Sequence, residues 1–147
     1  MERPRGIVVK KKVSDDDEKR FHPEYSKEWY EKYRDGIDKF SVPYTTMLSG
    51  HAYIPPGRKR SRRHYHVNFD AGIYVVKGRL REFFGPDNDQ IVVDMEAGDF
   101  VFIPKGEIHG SMNLSETESA EIVWFKPGIT CREEEFEGRV WVEPEPK

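Results

Sequence analysis

From Tyr44 onward the chain is cut into short β-prone runs by turn residues, and this punctuation constrains the fold more than anything else in the sequence. Tyr44 to Ile54 stops at Pro55-Pro56-Gly57, Ala71 to Val76 at Lys77-Gly78, and Arg79 to Phe84 at Gly85-Pro86-Asp87. Gln90 to Asp94, Phe100 to Ile103 and Ala120 to Phe125 are further runs of the same kind. Short strands at such spacing close into a sandwich or barrel. The runs on either side of Gly78 read as a hairpin, because a tight glycine turn joins them. Twelve glycines, ten prolines and an aromatic content of 13% suit many strands and turns better than a helical bundle. A chain of 147 residues is long enough for one domain with its own core. The expected class is all-β.

The N-terminal part reads differently. Gly6 to Val13 opens on Ile7-Val8-Val9 and is expected as an edge strand or arm, followed by the solvated acidic run Asp15 to Glu18. Over Pro23 to Arg34, Tyr25, Trp29 and Tyr33 fall at i, i+4 and i+8, the stripe of a short helix packed on the barrel. The expected division is an arm and short helix over 1–40, a barrel over 41–130 and an acidic tail over 131–147, in which Val140-Trp141-Val142 is able to dock.

Net charge is −3, with both signs abundant, which argues against a nucleic-acid partner. No apolar leader or membrane-length run occurs, so no membrane partner is expected. Cys131 is the single cysteine, which excludes an intrachain disulfide and suits a reducing compartment; the expected location is cytoplasmic. A homodimer is expected, because the short apolar strand at Ile7-Val8-Val9 has no hairpin mate and can extend a partner's sheet.

Chemistry enters with the histidines at 22, 51, 64, 66 and 109. His64 and His66 are one residue apart in extended sequence, so both side chains leave the same face of a strand. Two adjacent imidazoles make a poor apolar core, since each ring brings nitrogens that need partners. They make two good legs of a metal site.

Downstream, Gly98 is followed after five residues by Pro104, then Gly106, His109 and Asn113 at gaps of one, two and three residues. Together with Gly57, the His64-Tyr65-His66 triplet and Gly78, this resembles the paired motifs of the cupins, and the second motif matches at every fixed position. The resemblance covers about residues 44–127 and implies a cupin-type double-stranded β-helix, a jelly-roll barrel, to which the N-terminal helix and arm are appended. It further implies that His64, His66 and His109 hold one divalent transition metal ion, iron first, with zinc, manganese or nickel as alternatives.

The first motif departs from the family at its acidic position. Counting back from Gly78 puts that slot at Ala71, while counting on from His66 puts it at Asp70. Asp70 is therefore a lesser candidate ligand, as is His51 on an earlier strand. Three neutral ligands leave the ion's charge uncompensated and favour anionic substrates. The resemblance implies a metal-dependent enzyme on a small, anionic or enolisable molecule, with dioxygenation as the leading reaction. A redox-neutral isomerase, lyase or polyketide cyclase, and a non-catalytic small-molecule binder, remain open on the same scaffold. Ahead of His64, the run Arg58, Lys59, Arg60, Arg62, Arg63 is either a solvated loop or a source of carboxylate-binding forks, Arg62 and Arg63 above all. Glu107 reads as a turn residue or a proton shuttle, and Cys131 as structural.

Overall fold

The computed structural model describes residue 9 and residues 32–143. Nearly all of the arm over 6–13, His22 and most of the helix expected over 23–34 lie outside the described residues. The end of that helix is strand instead. β1 (Lys32–Ile37) pairs antiparallel with β2 (Met47–Ile54), so backbone pairing at a sheet edge overrides the helical stripe expected to reach Arg34.

The other strands are β3 (His64–His66), β4 (Ala71–Lys77), β5 (Arg79–Phe84), β6 (Ile91–Glu96), β7 (Phe100–Ile103), β8 (His109–Asn113), β9 (Ala120–Pro127) and β10 (Arg139–Trp141). A short helix, α1 (Arg132–Glu137), precedes β10. The strands form two five-stranded sheets, ordered β1-β2-β9-β4-β7 and β10-β3-β8-β5-β6, and every pairing is antiparallel. This is the expected all-β jelly roll.

Strand parity builds the core. In β9 burial alternates strictly, and Ala120, Ile122, Trp124 and Lys126 face inward. Leu48, Ala52 and Ile54 of β2, Val75 of β4, Leu80 of β5 and Ile103 of β7 complete one apolar cluster. The hairpin expected across Gly78 does not form. β4 and β5 belong to different sheets, and β5 pairs with β6 and β8. Gly78 has φ +92 and sits against Ala120, whose Cβ would lie 3.0 Å from any side chain added there. A residue without a Cβ can turn the chain out of one sheet and into the other at that point.

The acidic tail is likewise part of the fold. α1 buries Arg132 and Glu135, and β10 pairs with β3 through Arg139↔His66, Val140↔Tyr65 and Trp141↔His64. Val140-Trp141 does dock, and it docks on the strand that carries two of the histidines. Asn113, the last residue of the second motif, is fully buried. Its Nδ2 donates to the carbonyls of Ile54 and Glu118, and its Oδ1 accepts from Ser115 N–H, so it staples three backbone segments. Asn113→Ala removes all three bonds and strands two carbonyls and an amide; we expect a loss of about 3 kcal/mol in urea-unfolding free energy, with metal binding by the folded protein retained.

Candidate metal centre

β3 supplies His64 and His66 on its inward face, and β8 supplies His109, paired in register with His64. The β3 strand is held from three directions: by β10, by β8, and by Gly106 N–H, which donates to His66 O at 2.6 Å. Gly106 has φ +86, the left-handed conformation that glycine adopts without strain, so the glycine of the second motif secures a histidine of the first.

The three ligand nitrogens lie within 4.8 Å of one another, and among the described residues no other group of three His, Cys, Asp or Glu is arranged to hold an ion. Ring centroids are 4.8 Å apart for His64–His66, 4.5 Å for His64–His109 and 5.4 Å for His66–His109. His66 is buried, and the other two are half-buried.

The protonation pattern suits coordination. His64 Nδ1 is 3.0 Å from Arg62 O, and His109 Nδ1 is 2.9 Å from Glu107 O. A carbonyl can only accept, so both Nδ1 atoms carry the proton and both Nε2 lone pairs are free, as metal-ligating histidines require. His66 Nδ1 is buried beside the Glu135 backbone without a hydrogen bond. Burial, reinforced by the Arg139 charge, keeps all three rings neutral. His109 is pushed down to about 4 despite the Glu107 bond, and His64 and His66 lie well below the ordinary histidine range. Three neutral imidazoles with converging lone pairs fit one divalent transition ion.

Neither lesser candidate joins them. His51 lies on the opposite sheet with its Nε2 2.6 Å from Glu121 Oε1, and this partly exposed contact occupies the ring. Asp70 Oδ1 instead accepts from Lys105 N–H at 2.9 Å, capping the turn that leads to His109. Ala71 is buried in the apolar core opposite Ile103, so a methyl group fills the slot reached by the count from Gly78.

The two arginines separate. Arg63 is buried, but away from the histidines: it bonds Glu143 Oε1 at 2.5 Å, Gly85 O at 3.0 Å and Asp87, and so clamps the tail to the β5–β6 loop. A guanidinium engaged in this way acts as a structural clamp. Arg62 points the other way, its guanidinium 3.5 Å from the Trp141 ring centroid, and Trp141 lies 5.1 Å from His64. Glu107 N–H bonds Pro104 O, as a turn residue does, and Cys131 is buried just ahead of α1.

Sequence reasoning misses the rest of the wall. Arg139 lies opposite His66 in β10, with its guanidinium 4.9 Å from the Trp141 ring. Lys126 Nζ lies 2.5 Å from Glu135 Oε1, and Arg139 Nη2 is 3.5 Å from the same oxygen. Strand parity in Ala120 to Pro127 puts Lys126 on the inward face with Ile122 and Trp124, so one signal for it does exist in the sequence. The alternation Arg139-Val140-Trp141 is another.

The comparisons agree with this architecture. The family model described as "Cupin domain" matches residues 50–126. No curated protein is significantly similar. Among solved structures, a point mutant of Bacillus subtilis oxalate decarboxylase aligns with a TM-score of 0.60 and 18% identity, covering 75% of this chain and 28% of that one. An oxalate oxidase aligns with a TM-score of 0.59 and 22% identity over 76% of this chain and 54% of that one. Peruvianin-I, titled a cysteine peptidase from Thevetia peruviana latex, gives 0.64 and 17% over 92% and 82%. The chain thus spans about a quarter of the decarboxylase and half of the oxidase, and at these identities the likeness is one of fold. With the family model covering both histidine motifs, and the strands and ligand geometry in agreement, the chain belongs to the cupin family.

Proposed function

We propose that the protein is a metal-dependent enzyme acting on a small anionic organic substrate, with dioxygen-dependent oxidation as its reaction. The observation that carries this reading is a set of three imidazoles with no carboxylate among them, walled by Arg62, Trp141 and Arg139. A divalent ion on His64, His66 and His109, iron first and zinc, manganese or nickel as alternatives, would supply a Lewis-acid centre with positions open to substrate. The chain's own residues do the rest. Arg62 and Arg139 favour a carboxylate at the wall, and stacking on Trp141 limits the freedom their guanidinium groups lose on binding. Trp141 and Phe69, the latter 4.3 Å from His66, shield the histidines from bulk water.

Likeness to an oxalate oxidase supports an oxidative reaction on a small acid, and likeness to an oxalate decarboxylase supports a redox-neutral second reading. Iron- and manganese-loaded protein incubated with short keto, hydroxy and dicarboxylic acids in an oxygen-electrode cell separates them. Substrate-dependent oxygen uptake is expected. Full turnover under nitrogen would favour the redox-neutral enzyme, and tight binding without product a non-catalytic binder.

Two further expectations belong with this reading. No helix among the described residues is long and apolar enough to cross a membrane, and the single buried cysteine suits a cytoplasmic place. A homodimer is supported by edge strand β7, whose Phe100 and Phe102 are 75% and 65% exposed and call for cover. Light scattering at micromolar concentration is expected to give twice the chain mass; a monomer would contradict it.

A further inference from the structure

On β5 the inward-facing residues are Leu80, Glu82 and Phe84, paired across to Asn113, Ser111 and His109 of β8. Glu82 thus stands on the interior face one step along the barrel from the histidine pair, and Ser111 lies about 7 Å from His109 along the strand. The carboxyl is 1% exposed. Ser111 Oγ–H donates to its Oε1 at 2.6 Å, while its Oε2 is buried with no partner among the described residues. A half-satisfied carboxyl among Leu80, Phe84 and the apolar core is costly, and no described cation compensates it. The other buried acids differ: Glu135 has Lys126 and Arg139, Asp35 has Arg132, and Asp38 accepts from the Phe40 and Ser41 amides.

We propose that Glu82 and Ser111 form a second, uncharged oxygen-binding subsite inside the barrel, so that the ligand is a short dicarboxylate or keto acid with one end at the histidines and the other on Glu82 Oε2. This deepens the reading above and rests on it. The carboxyl donates its own proton to the ligand oxygen, a role only the neutral acid can play; ionised, it would repel the same anion. Burial pushes Glu82 up to about 8, opposed by the Ser111 bond. At neutral pH the group is therefore a donor.

The test uses Co2+-loaded wild type, Glu82→Gln and Ser111→Ala, titrated with acetate, malonate and succinate at pH 7 and pH 9 and followed by cobalt absorption. In wild type the longer dicarboxylates should bind tighter than acetate at pH 7 and lose affinity toward pH 9, as the Glu82 carboxyl gives up the proton it donates. Glu82→Gln keeps an N–H donor, so it should bind at pH 7 and lose no more by pH 9 than acetate does. Ser111→Ala should weaken the dicarboxylates and leave acetate unchanged. The infrared stretch of a protonated carboxyl, present in metal-free wild type at pH 7 and lost in Glu82→Gln, reads the proton directly. A parallel pH dependence in wild type and Glu82→Gln, or no advantage of any dicarboxylate over acetate, would overturn the subsite while leaving the metal reading intact. Failure of wild type to give a cobalt spectrum would overturn the metal reading and the subsite with it.

Discussion

Alanine at His66 is expected to lower the affinity for a divalent ion by more than about a hundredfold, because loss of a ligand exceeds the 10–100-fold typical of losing a ligand's supporting partner. That corresponds to about 3 kcal/mol. His66 is the most buried of the three rings, and its strand is fixed by Gly106 and by β10, so no neighbouring group can swing in to replace it. His64→Ala and His109→Ala are expected to behave alike. His51→Ala and Asp70→Ala serve as controls: the first breaks a pair with Glu121 on the opposite sheet, the second a turn cap on Lys105. Competition with a chromophoric zinc chelator measures all five. If either control loses affinity as His66→Ala does, the ligand set is wrong.

Glu135→Ala is expected to have the largest effect on stability. Glu135 is 1% exposed and its Oε1 faces both Lys126 and Arg139, which lie behind and beside the histidines. Removing one member of a buried ion pair costs about 3–5 kcal/mol, since the remaining charge stays desolvated. In a domain of this size such a loss lowers the thermal midpoint by more than about 10 °C. Burial already depresses Lys126, and without Glu135 it falls further and gives up its proton more easily. The defect should therefore shrink as pH rises, because a neutral amine is cheaper to bury than an ammonium. Glu135→Gln, which keeps the volume and an acceptor, should cost less. Calorimetry at pH 7 and pH 9.5 checks both points; a pH-independent loss, equal for alanine and glutamine, would show that packing rather than charge is at stake.

What the sequence can reveal depends on how local each signal is. Turn residues and β-prone runs locate the strands from Met47 to Pro127 except β8, because the turn chemistry lies next to the strand it ends. The histidine triplet and the spacing from Gly98 to Asn113 place the three candidate ligands for the same reason. Pairing partners are not local, and there the reading fails. Gly78 looks like a hairpin turn, yet the same tight bend carries the chain between sheets, and only the register of β5 with β8 tells the two apart. The tail is legible as an apolar triplet and illegible as a wall of the site, since Arg139 acquires its role by lying opposite His66. Arg63 is illegible in the same way: its bonds to Glu143, Gly85 and Asp87 join it to residues far away in sequence. Glu82 looks in sequence like an ordinary strand residue, although its parity with Leu80 already puts it inside.

On this reading of the site, His64, His66 and His109 hold one divalent transition ion. Elemental analysis of untagged protein, purified without chelator, tests it most directly, backed by Co2+ titration of the stripped chain. Close to one transition ion per chain is expected, with cobalt bands that saturate at one equivalent in wild type and vanish in His66→Ala. A metal-free protein that takes up no cobalt, or cobalt bands unchanged by His66→Ala, would contradict it.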